Sequence, residues 1–316
     1  MSVIKKFIYH HDVLAKLYNI RRNRVRNKYN HLSDEEFAKM HYFQKRGKEL
    51  NLETPQTFDE KLWYLKLHNR DPLLKKCTDK YLVREYVKEC GLGHILNALY
   101  GVYDRFEDID FSKLPDKCIL KCNHTSGTNA IFDRNGTFDY KYQKNEFDFF
   151  MNRDSYWGYR EWNYKDIEKK IICERLLEQP GKDCLDDYKF MCFHGKVKLV
   201  FGEIGICEQD GSHNADSKRN VYTRDYELLK HVKFTRDNFD PALLPRPRNF
   251  EKMVEYAEIL AKPFIHCRVD LYNIDGEIYF GELTFYHQSA TNKIEPEEMD
   301  RKAAGWIDLN DIKYYA

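Results

Sequence analysis

Apolar residues in the first half of the chain recur at helical spacing behind recognisable helix-start signals. Ser33 with Glu36, and Thr57 with Glu60, form capping-box patterns directly ahead of such apolar positions. In this pattern a hydroxyl and a Glu three residues later satisfy N–H groups that a helix leaves free at its start. Residues 1–76 are therefore predicted to form a helical segment.

After this segment, Thr78 is predicted to cap a further helix, which Gly91 closes. From Cys118 onward the pattern changes to short apolar runs that are typical of strands. The later predicted elements are a strand at 118–122, a strand at 171–177, a hairpin at 187–201, a helix capped by Asn249 and a hairpin at 267–286. Strands separated by helices and followed by paired hairpins predict an α+β architecture in lobes.

The hairpin at 267–286 turns near Asp275-Gly276, and two loop lengths fit this turn. A two-residue loop would place Asp270 and Glu282 on opposite faces, because side chains alternate along a strand. A three-residue loop, with Gly276 in the left-handed conformation, pairs Arg268 with Glu282 instead. We expect the three-residue loop. The polar face then holds Arg268, Asp270, Glu282 and Thr284, and the apolar face holds Val269, Leu271, Tyr279, Leu283 and Phe285.

Two carboxylates beside an arginine on one strand face indicate a site for a divalent cation and a phosphate. An ordinary hairpin with one solvated polar face fits the same pattern. Asp108-Ile-Asp110 is a second acidic pattern, of the Asp-x-Asp type that nucleotide-sugar enzymes use to bind a metal.

Other polar residues stand at positions that favour chemistry. Lys121 ends a strand ahead of a polar loop (residues 123–128), whose N–H groups can hold phosphate oxygens while the lysine adds charge. The alternative for this loop is an ordinary connection. Asp187 and Lys189 share a strand face, and Glu174 is an acid in an otherwise apolar strand, where charge is uncommon.

Composition narrows the class of protein. The chain has 316 residues, 42% of them hydrophobic, which suffices for a large globular core. It contains no apolar run of about 18 residues, so no membrane span is predicted, and its first ten residues lack the apolar core of a secretory signal. Nine cysteines without a dense framework fit reduced thiols in the cytoplasm.

Charge is unevenly distributed along the chain. Residues 1–30 hold eight lysines and arginines against Asp12 alone, although the whole chain has a net charge of +1. A basic segment of this kind can contact an anionic polymer or a membrane surface. A solvated helix end is the commoner explanation.

Taken in chain order, several short segments resemble the TupA-like branch of the ATP-grasp ligases, which is linked to teichuronopeptide and other surface-polysaccharide synthesis. The resemblance covers residues 40–310, and its specificity lies in the ordered set. Thr284 departs from it, since many ATP-grasp enzymes have Asn there. The segments are FDEKLW at 58–63, DKYLVREY at 79–86, LPDKCILKCNH at 114–124, REW at 160–162, DYKFMCFHGK at 187–196, RVD at 268–270 and GELTF at 281–285.

The resemblance implies an ATP-grasp fold, in which two α+β lobes hold ATP and Mg²⁺. Arg268 would stabilise an acyl phosphate and Lys189 would approach the γ-phosphate, while Asp270 and Glu282 would bind magnesium. The residues that would bind the nucleotide are Lys80, Lys121, Ser126, Gly127, Glu174, Leu177 and Glu178. Of these, the lysines would hold the phosphates, Glu174 and the backbone near Leu177 would meet adenine, and Glu178 would meet the ribose.

The implied activity is ATP-dependent amide formation between a carboxylate and a small amine, with a uronic acid of a capsular or cell-surface polysaccharide as the expected carboxylate. A glycosyltransferase of polysaccharide synthesis and a non-catalytic nucleotide- or polysaccharide-binding protein are the alternatives. No nucleic-acid partner is expected. The predicted domains are a helical segment at 1–76, a lobe with the polar loop at 77–175 and a lobe with the metal site at 176–316.

Overall fold

The computed structural model describes residues 3–182, 184–206, 214 and 216–312, and over these residues the chain has the predicted α+β architecture. Its α-helices are α1 (Val3–Tyr9), α2 (Asp12–Arg26), α3 (Asp34–Arg46), α4 (Phe58–His68), α5 (Pro72–Thr78), α6 (Val83–Glu89), α7 (Tyr140–Met151), α8 (Tyr156–Tyr159), α9 (Phe250–Ala261) and α10 (Glu297–Gly305). Its strands are β1 (Leu99–Tyr103), β2 (Lys117–Cys122), β3 (Asn129–Asp133), β4 (Ile171–Arg175), β5 (Asp187–Phe193), β6 (Lys196–Ile204), β7 (Lys218–Thr223), β8 (Lys233–Phe234), β9 (His266–Ile274), β10 (Glu277–Thr284) and β11 (Ile294–Glu295).

The described strands form antiparallel sheets. A four-stranded sheet has the order β1-β4-β2-β3, and a five-stranded sheet has the order β10-β9-β5-β6-β7. The short strands β8 and β11 pair with each other. Each larger sheet therefore comes from its own continuous part of the chain, residues 99–175 and 187–284, and the cleft between the sheets can collect side chains from both.

Local hydrogen bonds set the predicted helix starts. The Ser33 hydroxyl accepts from the Glu36 N–H, and the Glu36 carboxylate accepts from the Ser33 N–H. Thr57 and Glu60 form the same reciprocal pair at the start of α4. Both predicted capping boxes are confirmed, and a cap of this kind stabilises a helix by about 1 kcal/mol.

Two predicted caps are wrong. Thr78 is the last residue of α5, and the Asp79 carboxylate instead accepts from the N–H groups of Tyr81 and Leu82 ahead of α6. Thr and Asp stand side by side here and both cap helices well, so local pattern does not separate them. The predicted end before Gly91 is confirmed by its left-handed φ of 77°.

Asn249 precedes α9, as predicted, but its side chain does not cap the helix. Its Nδ2 donates to the Gly276 carbonyl oxygen at 2.8 Å. It therefore ties the start of α9 to the turn between β9 and β10, which is a contact between segments distant in sequence.

The hydrophobic core is divided in the same way as the sheets. The larger cluster packs α4, α5, α6 and α9 against the five-stranded sheet, with fully buried Phe58 and Trp63 from α4. A second cluster lies against the four-stranded sheet around Leu120 and Phe132. Full burial of one such side chain contributes about 1.5–3 kcal/mol. The domain bounds at residues 76 and 175 stay a prediction.

The sequence led us to expect that all cysteines are reduced thiols, and the structure agrees for most of those it describes. The free thiols are Cys77, Cys90, Cys118, Cys122, Cys173, Cys192 and Cys267. Cys184, by contrast, is disulfide-bonded, so the prediction of reduced thiols is wrong at that position.

None of the helices in the described part of the chain combines the length and apolar character needed to cross a bilayer.

Candidate active site

A cavity of about 410 Å³ opens between the four-stranded and five-stranded sheets. Among the described residues, seven cationic and six acidic side chains line it. Such a density of buried charge is costly unless the charges pair or meet a ligand, and it is therefore typical of functional clefts. The predicted site residues that line it are Lys80, Lys121, Ser126, Gly127, Glu174, Leu177, Lys189, Arg268, Asp270 and Glu282.

The turn between β9 and β10 is shorter than predicted. Ile274 pairs with Glu277, which leaves Asp275-Gly276 as a two-residue loop. Both loop residues have positive φ, 53° and 97°, as a tight hairpin turn of type I′ requires. The predicted three-residue loop is therefore wrong.

A β-bulge at Gly281 restores the polar face that this short turn would have broken. The register shifts by one residue between Phe280 and Glu282, so that Glu282 pairs with Asp270. Thr284 then pairs with Arg268. An extra residue in one strand moves every later side chain to the other face. The two carboxylates thus share a face, as expected, but for a different reason.

The bulge has two further consequences. Tyr279 lies before it and pairs with Tyr272, so Tyr279 lies on the face of Asp270 and not on the predicted apolar face. A Cβ atom at residue 281 would lie 3.0 Å from the Asp270 carbonyl oxygen. Such a contact is tighter than most Cβ atoms make, so a side chain there would force a neighbour to shift by a few tenths of an ångström, and glycine avoids this.

Arg268 holds both carboxylates. It donates to Asp270 through Nε at 2.7 Å and Nη2 at 2.6 Å, and Nη2 also donates to Glu282 Oε1 at 2.9 Å. Thr284 Oγ1 donates to the same oxygen at 3.0 Å. Burial lowers the pKa of Arg268, but the two carboxylates outweigh it and raise that pKa above its ordinary value. Burial raises the pKa of Glu282, and Lys80 and Arg268 outweigh it and lower that pKa.

Lys189 is enclosed by three carboxylates. Its Nζ contacts Asp187 directly and lies 3.1 Å from Asp270 and 3.5 Å from Glu203. Burial lowers the pKa of Lys189, but the three acids outweigh burial and raise it. Burial raises the pKa of Asp187 to about 6 despite the nearby lysine. Lys189 therefore stays a cation within the cavity wall.

Sequence reasoning missed Glu203. It is fully buried on β6, where it pairs with Arg219 and lies 3.0 Å from Arg236. Burial raises the pKa of this carboxyl, but the surrounding cations outweigh it and lower the pKa to about 2. An acid within an apolar strand was the signal that selected Glu174, and the same signal is present at Glu203.

Lys80 links the polar loop to the acidic hairpin. Its Nζ donates to the Thr125 carbonyl oxygen at 2.8 Å and lies 4.0 Å from Glu282 Oε2. Its backbone N–H donates to the Asn123 carbonyl oxygen at 3.1 Å. The loop reaches the cavity wall at Gly127, whose φ is 78°. Lys80 thus connects the two sheets at the cavity.

Glu174 is held from two sides. Arg84 Nη1 lies 3.1 Å from Oε1, and Lys121 Nζ lies 3.0 Å from Oε2. Glu174 and Lys121 come from the neighbouring strands β4 and β2, so the pairing of these strands sets their approach. Arg84 was not predicted, although it lies within a segment that resembles the family.

Glu178 is the one predicted site residue that does not line this cavity. It lines an adjoining cavity of about 710 Å³, which shares Lys121 and Leu177 with the first. Its exposed carboxylate lies 3.0 Å from Lys117 Nζ. The structure therefore places Glu178 outside the cavity between the sheets, but next to Leu177, which lines both cavities.

A strained loop forms another part of the wall. Gln288, Ser289 and Ala290 have consecutive positive φ angles of 51°, 52° and 59°. Non-glycine residues adopt this conformation at a cost, and such strain is common at functional sites. Helix α4 holds the loop, because Lys66 Nζ donates to the Ser289 carbonyl oxygen at 2.8 Å and Trp63 Nε1 donates to that of Ala290 at 3.0 Å.

Glu161 faces this loop. Its carboxylate accepts a hydrogen bond from Ser289 Oγ, and both residues line the cavity. Burial raises the pKa of Glu161 against the attraction of Lys66, and burial lowers the pKa of Lys66 to about 8. Neither Glu161 nor Ser289 was predicted as a site residue, because their meeting depends on a contact across 128 residues.

The acidic pattern at Asp108-Ile-Asp110 serves local structure. Asp108 Oδ1 lies 2.8 Å from Arg105 Nη2, and Asp110 Oδ2 lies 2.9 Å from Lys113 Nζ. Asp110 also accepts from the Ser112 N–H at the start of a short helical turn. Neither carboxylate lines the cavity between the sheets.

The sequence profile of the TupA-like ATP-grasp family matches residues 60–307. The chain therefore belongs to the TupA-like ATP-grasp family, and its α+β architecture is the ATP-grasp fold of that family. No protein of curated function matches the sequence.

Solved structures resemble parts of this chain at low sequence identity. A D-alanine–D-alanine ligase from Bacillus anthracis complexed with ATP has 16% identity and a TM-score of 0.37, over 76% of this chain and 65% of its own. An L-amino acid ligase from Bacillus licheniformis has 12% identity and a TM-score of 0.37, over 68% of this chain and 44% of its own. The ATP-grasp ligase PsnB complexed with minimal precursor has 11% identity and a TM-score of 0.35, over 68% and 53%. The chain thus spans about half the length of the last two.

Proposed function

We propose that this protein is an ATP-dependent carboxylate–amine ligase that forms an amide through an acyl phosphate. One observation carries the proposal. Lys80, Lys189 and Arg268 converge on the facing carboxylates of Asp270 and Glu282, in the cavity of a chain that belongs to an ATP-grasp family. Converging cations suit a triphosphate, and facing carboxylates suit the metal ion that accompanies it.

Magnesium fits the donor set of the hairpin. Asp270 and Glu282 oppose each other on neighbouring strands, and the described residues contain no cluster of three or more His, Cys, Asp or Glu ligands. Two carboxylates suit Mg²⁺, because this ion takes its remaining ligands from phosphate and water. Bound there, it would neutralise charge on the phosphates. Thr284 and Arg268 would orient the Glu282 carboxylate by their hydrogen bonds.

Different cations of the chain would contact different phosphates of the nucleotide. Lys80 and Lys121 would bind phosphate oxygens, together with N–H groups of the polar loop around Ser126 and Gly127. Lys189 would hold the γ-phosphate. These groups are preorganised by the ion pairs already described, so little reorganisation is needed during phosphoryl transfer.

Glu174 and the backbone near Leu177 would contact the adenine. Glu178 would contact the ribose from the adjoining cavity. The resemblance to the family supports this assignment, and Leu177 and Lys121 lie on the wall that the two cavities share.

The reaction would proceed in two chemical steps. A substrate carboxylate oxygen attacks the γ-phosphorus, the bond to the departing ADP oxygen breaks, and an acyl phosphate forms. The amine nitrogen then attacks the acyl carbon, phosphate leaves, and the nitrogen loses a proton. Arg268 would stabilise the charge of the acyl phosphate, because a guanidinium can bind phosphate and carboxylate oxygens in a bidentate manner.

The carboxylate is proposed to belong to a uronic acid of a capsular or cell-surface polysaccharide, and the amine to be an amino acid or amino alcohol. The resemblance of the chain to ligases of surface-polysaccharide synthesis supports this choice, and the cytoplasm is the proposed location. No observation favours a second function, since Asp108 and Asp110 of the glycosyltransferase pattern are engaged in local ion pairs.

The test is a product assay with ATP, Mg²⁺ and a panel of uronic acids and amines. We expect ADP and phosphate in equal amounts, and hydroxylamine should convert the acyl phosphate into a hydroxamate. AMP and pyrophosphate would instead indicate adenylation. Turnover of a nucleotide sugar without ATP would indicate a glycosyltransferase, and ATP binding without turnover across the panel would indicate a binding protein.

A further inference from the structure

The α1–α2 hairpin (residues 3–26) carries large apolar side chains that face solvent. Their exposed fractions range from 41% to 72% for Phe7, Val13, Leu17, Ile20 and Val25. Single exposed apolar residues are normal on a protein surface, but several on one element indicate an interaction surface. Val13, Leu17 and Ile20 follow a helical spacing of four and three residues, so they form one stripe along α2.

The opposite face of the hairpin is anchored to the protein. Tyr9 Oη and Arg22 Nη1 both donate to Glu146 Oε1 at 2.6 Å, and Lys5 Nζ lies 2.6 Å from Glu146 Oε2. The Arg22 guanidinium also stacks 3.5 Å from the centre of the Phe149 ring. Because these contacts hold the buried face against α7, the apolar stripe cannot turn inward without breaking them.

Cations lie beside the apolar stripe. Lys16, Arg21 and Arg24 are exposed on α2, and in the described part of the chain no ion pair engages them. Arg21 and Arg24 follow Leu17 by four and seven residues, so all three lie on one side of the helix. The hairpin therefore presents apolar and cationic groups together.

We propose that the α1–α2 hairpin docks on the surface of an anionic lipid bilayer. Val13, Leu17 and Ile20 would enter the boundary between headgroups and acyl chains, while Arg21 and Arg24 would contact anionic headgroups. This inference does not depend on the proposed ligase activity.

Charge complementarity favours an anionic bilayer over the other partners that could bind this hairpin. A soluble anionic polymer would engage the cations, but it would leave the exposed apolar side chains in water. A second copy of the chain could cover those side chains, but it would bring like-charged arginines together, which opposes association. An anionic bilayer satisfies both sets of groups at once.

The test is co-sedimentation of the full chain with phosphatidylcholine vesicles, with and without phosphatidylserine. We expect binding only to vesicles that contain phosphatidylserine. Arg21→Gln with Arg24→Gln should weaken the partition by about 25-fold, because each cation near an anionic surface contributes about fivefold. Leu17→Ser with Ile20→Ser should weaken it by about tenfold or more, through lost apolar burial.

Matched controls separate this surface from general effects. Leu243→Ser with Phe43→Ser changes side chains that are 59% and 58% exposed, against 59% for Leu17. Lys230→Gln with Lys252→Gln removes two exposed cations elsewhere. Both controls should bind as the unchanged chain does. All four double variants should keep its thermal unfolding midpoint, since each alters exposed side chains.

Three results would overturn the proposal. The first is no binding to the phosphatidylserine vesicles. The second is unchanged binding by the Leu17→Ser/Ile20→Ser variant, which would indicate adsorption by charge alone. The third is a dimer in analytical ultracentrifugation that the same variant dissociates, which would assign the stripe to a second copy of the chain.

Discussion

Glu282 lies directly opposite Asp270 on the neighbouring strand because Gly281 bulges out of β10. The two-residue turn at Asp275-Gly276 would by itself have sent these carboxylates to opposite faces. One glycine therefore determines whether the hairpin presents a pair of acids or two separated ones.

This relationship makes Gly281→Ala an informative change. The added methyl group would meet the Asp270 carbonyl oxygen at 3.0 Å and the Tyr272 ring at 3.3 Å, so the strands must shift and Glu282 with them. We expect turnover to fall by about tenfold or more, which is about 1.4 kcal/mol of transition-state stabilisation. Gly305→Ala is the control, since a Cβ there meets no atom within 4 Å. Unchanged turnover in the Gly281 variant would show that the bulge is dispensable.

Glu282→Gln and Asp270→Asn should each reduce turnover by about 10³-fold, or about 4 kcal/mol, if both carboxylates hold magnesium. Their effects on stability should differ. Asp270 lies between Lys189 and Arg268, and loss of its charge leaves these two buried cations with fewer carboxylates to offset them, which costs about 3 kcal/mol or more.

The Glu282 side chain is 38% exposed, so we expect its substitution to change the free energy of unfolding by about 1 kcal/mol or less. Turnover, magnesium titration and urea unfolding measure these effects. Glu277→Gln on the same strand is the control, because Glu277 is exposed. Near-normal turnover of a folded Glu282→Gln variant would show that Glu282 does not bind the metal ion.

Lys80→Met should weaken ATP binding. Lys80 bridges the Thr125 carbonyl oxygen and the Glu282 carboxylate, so its loss frees the polar loop and removes a cation from the phosphate region. We expect KM for ATP to rise by about tenfold to a hundredfold, or about 1.4–2.7 kcal/mol. Lys61→Met is the matched control, because Lys61 also donates to a backbone carbonyl, that of Ile307. Equal effects of the two changes on KM for ATP would show that Lys80 supports the local structure and does not bind the nucleotide.

Glu161→Gln should affect the amine and not the nucleotide. Glu161 faces the strained loop through Ser289, and its carboxylate can attract an ammonium group or accept the proton that the attacking amine loses. We expect KM for the amine to rise with little change in KM for ATP. Glu174→Gln should show the reverse, since Glu174 lies with Lys121 and Arg84. A rise in KM for ATP alone in the Glu161 variant would contradict this assignment.

Asp59 predicts a specific dependence of stability on pH. Burial raises the pKa of Asp59 to about 7, while Asn292 donates to its carboxylate at 2.6 Å. Between about pH 4 and pH 7 the folded state therefore holds a proton that the unfolded state has lost. Stability must fall as pH rises through this window and stay lower above it.

Asp59→Asn removes this contribution, because the amide does not titrate. Relative to the unchanged chain, the variant should gain up to about 4 kcal/mol in the free energy of unfolding between pH 4 and pH 7. Urea unfolding at a series of pH values measures the difference. Parallel curves for the two proteins would mean that Asp59 keeps an ordinary pKa.

The sequence alone determined those features that depend on neighbours in the chain. The capping boxes at Ser33 and Thr57 are correct, because their hydrogen bonds span three residues and need no partner from elsewhere. The α+β class follows from the same local periodicities. The resemblance of ordered segments led to the TupA-like ATP-grasp family, and with it to ten residues that line one cavity.

Tertiary structure alone decided where those residues meet. The pairing of Asp270 with Glu282 depends on a bulge, which alternation of polar and apolar residues does not reveal. Lys66 reaches the Ser289 carbonyl across 223 residues, and Lys80 reaches that of Thr125 across 45. Local patterns record which face of an element is polar, but they carry no information on which distant segment packs against it. That choice is made when the chain packs around its two hydrophobic clusters and the two sheets meet at the cavity.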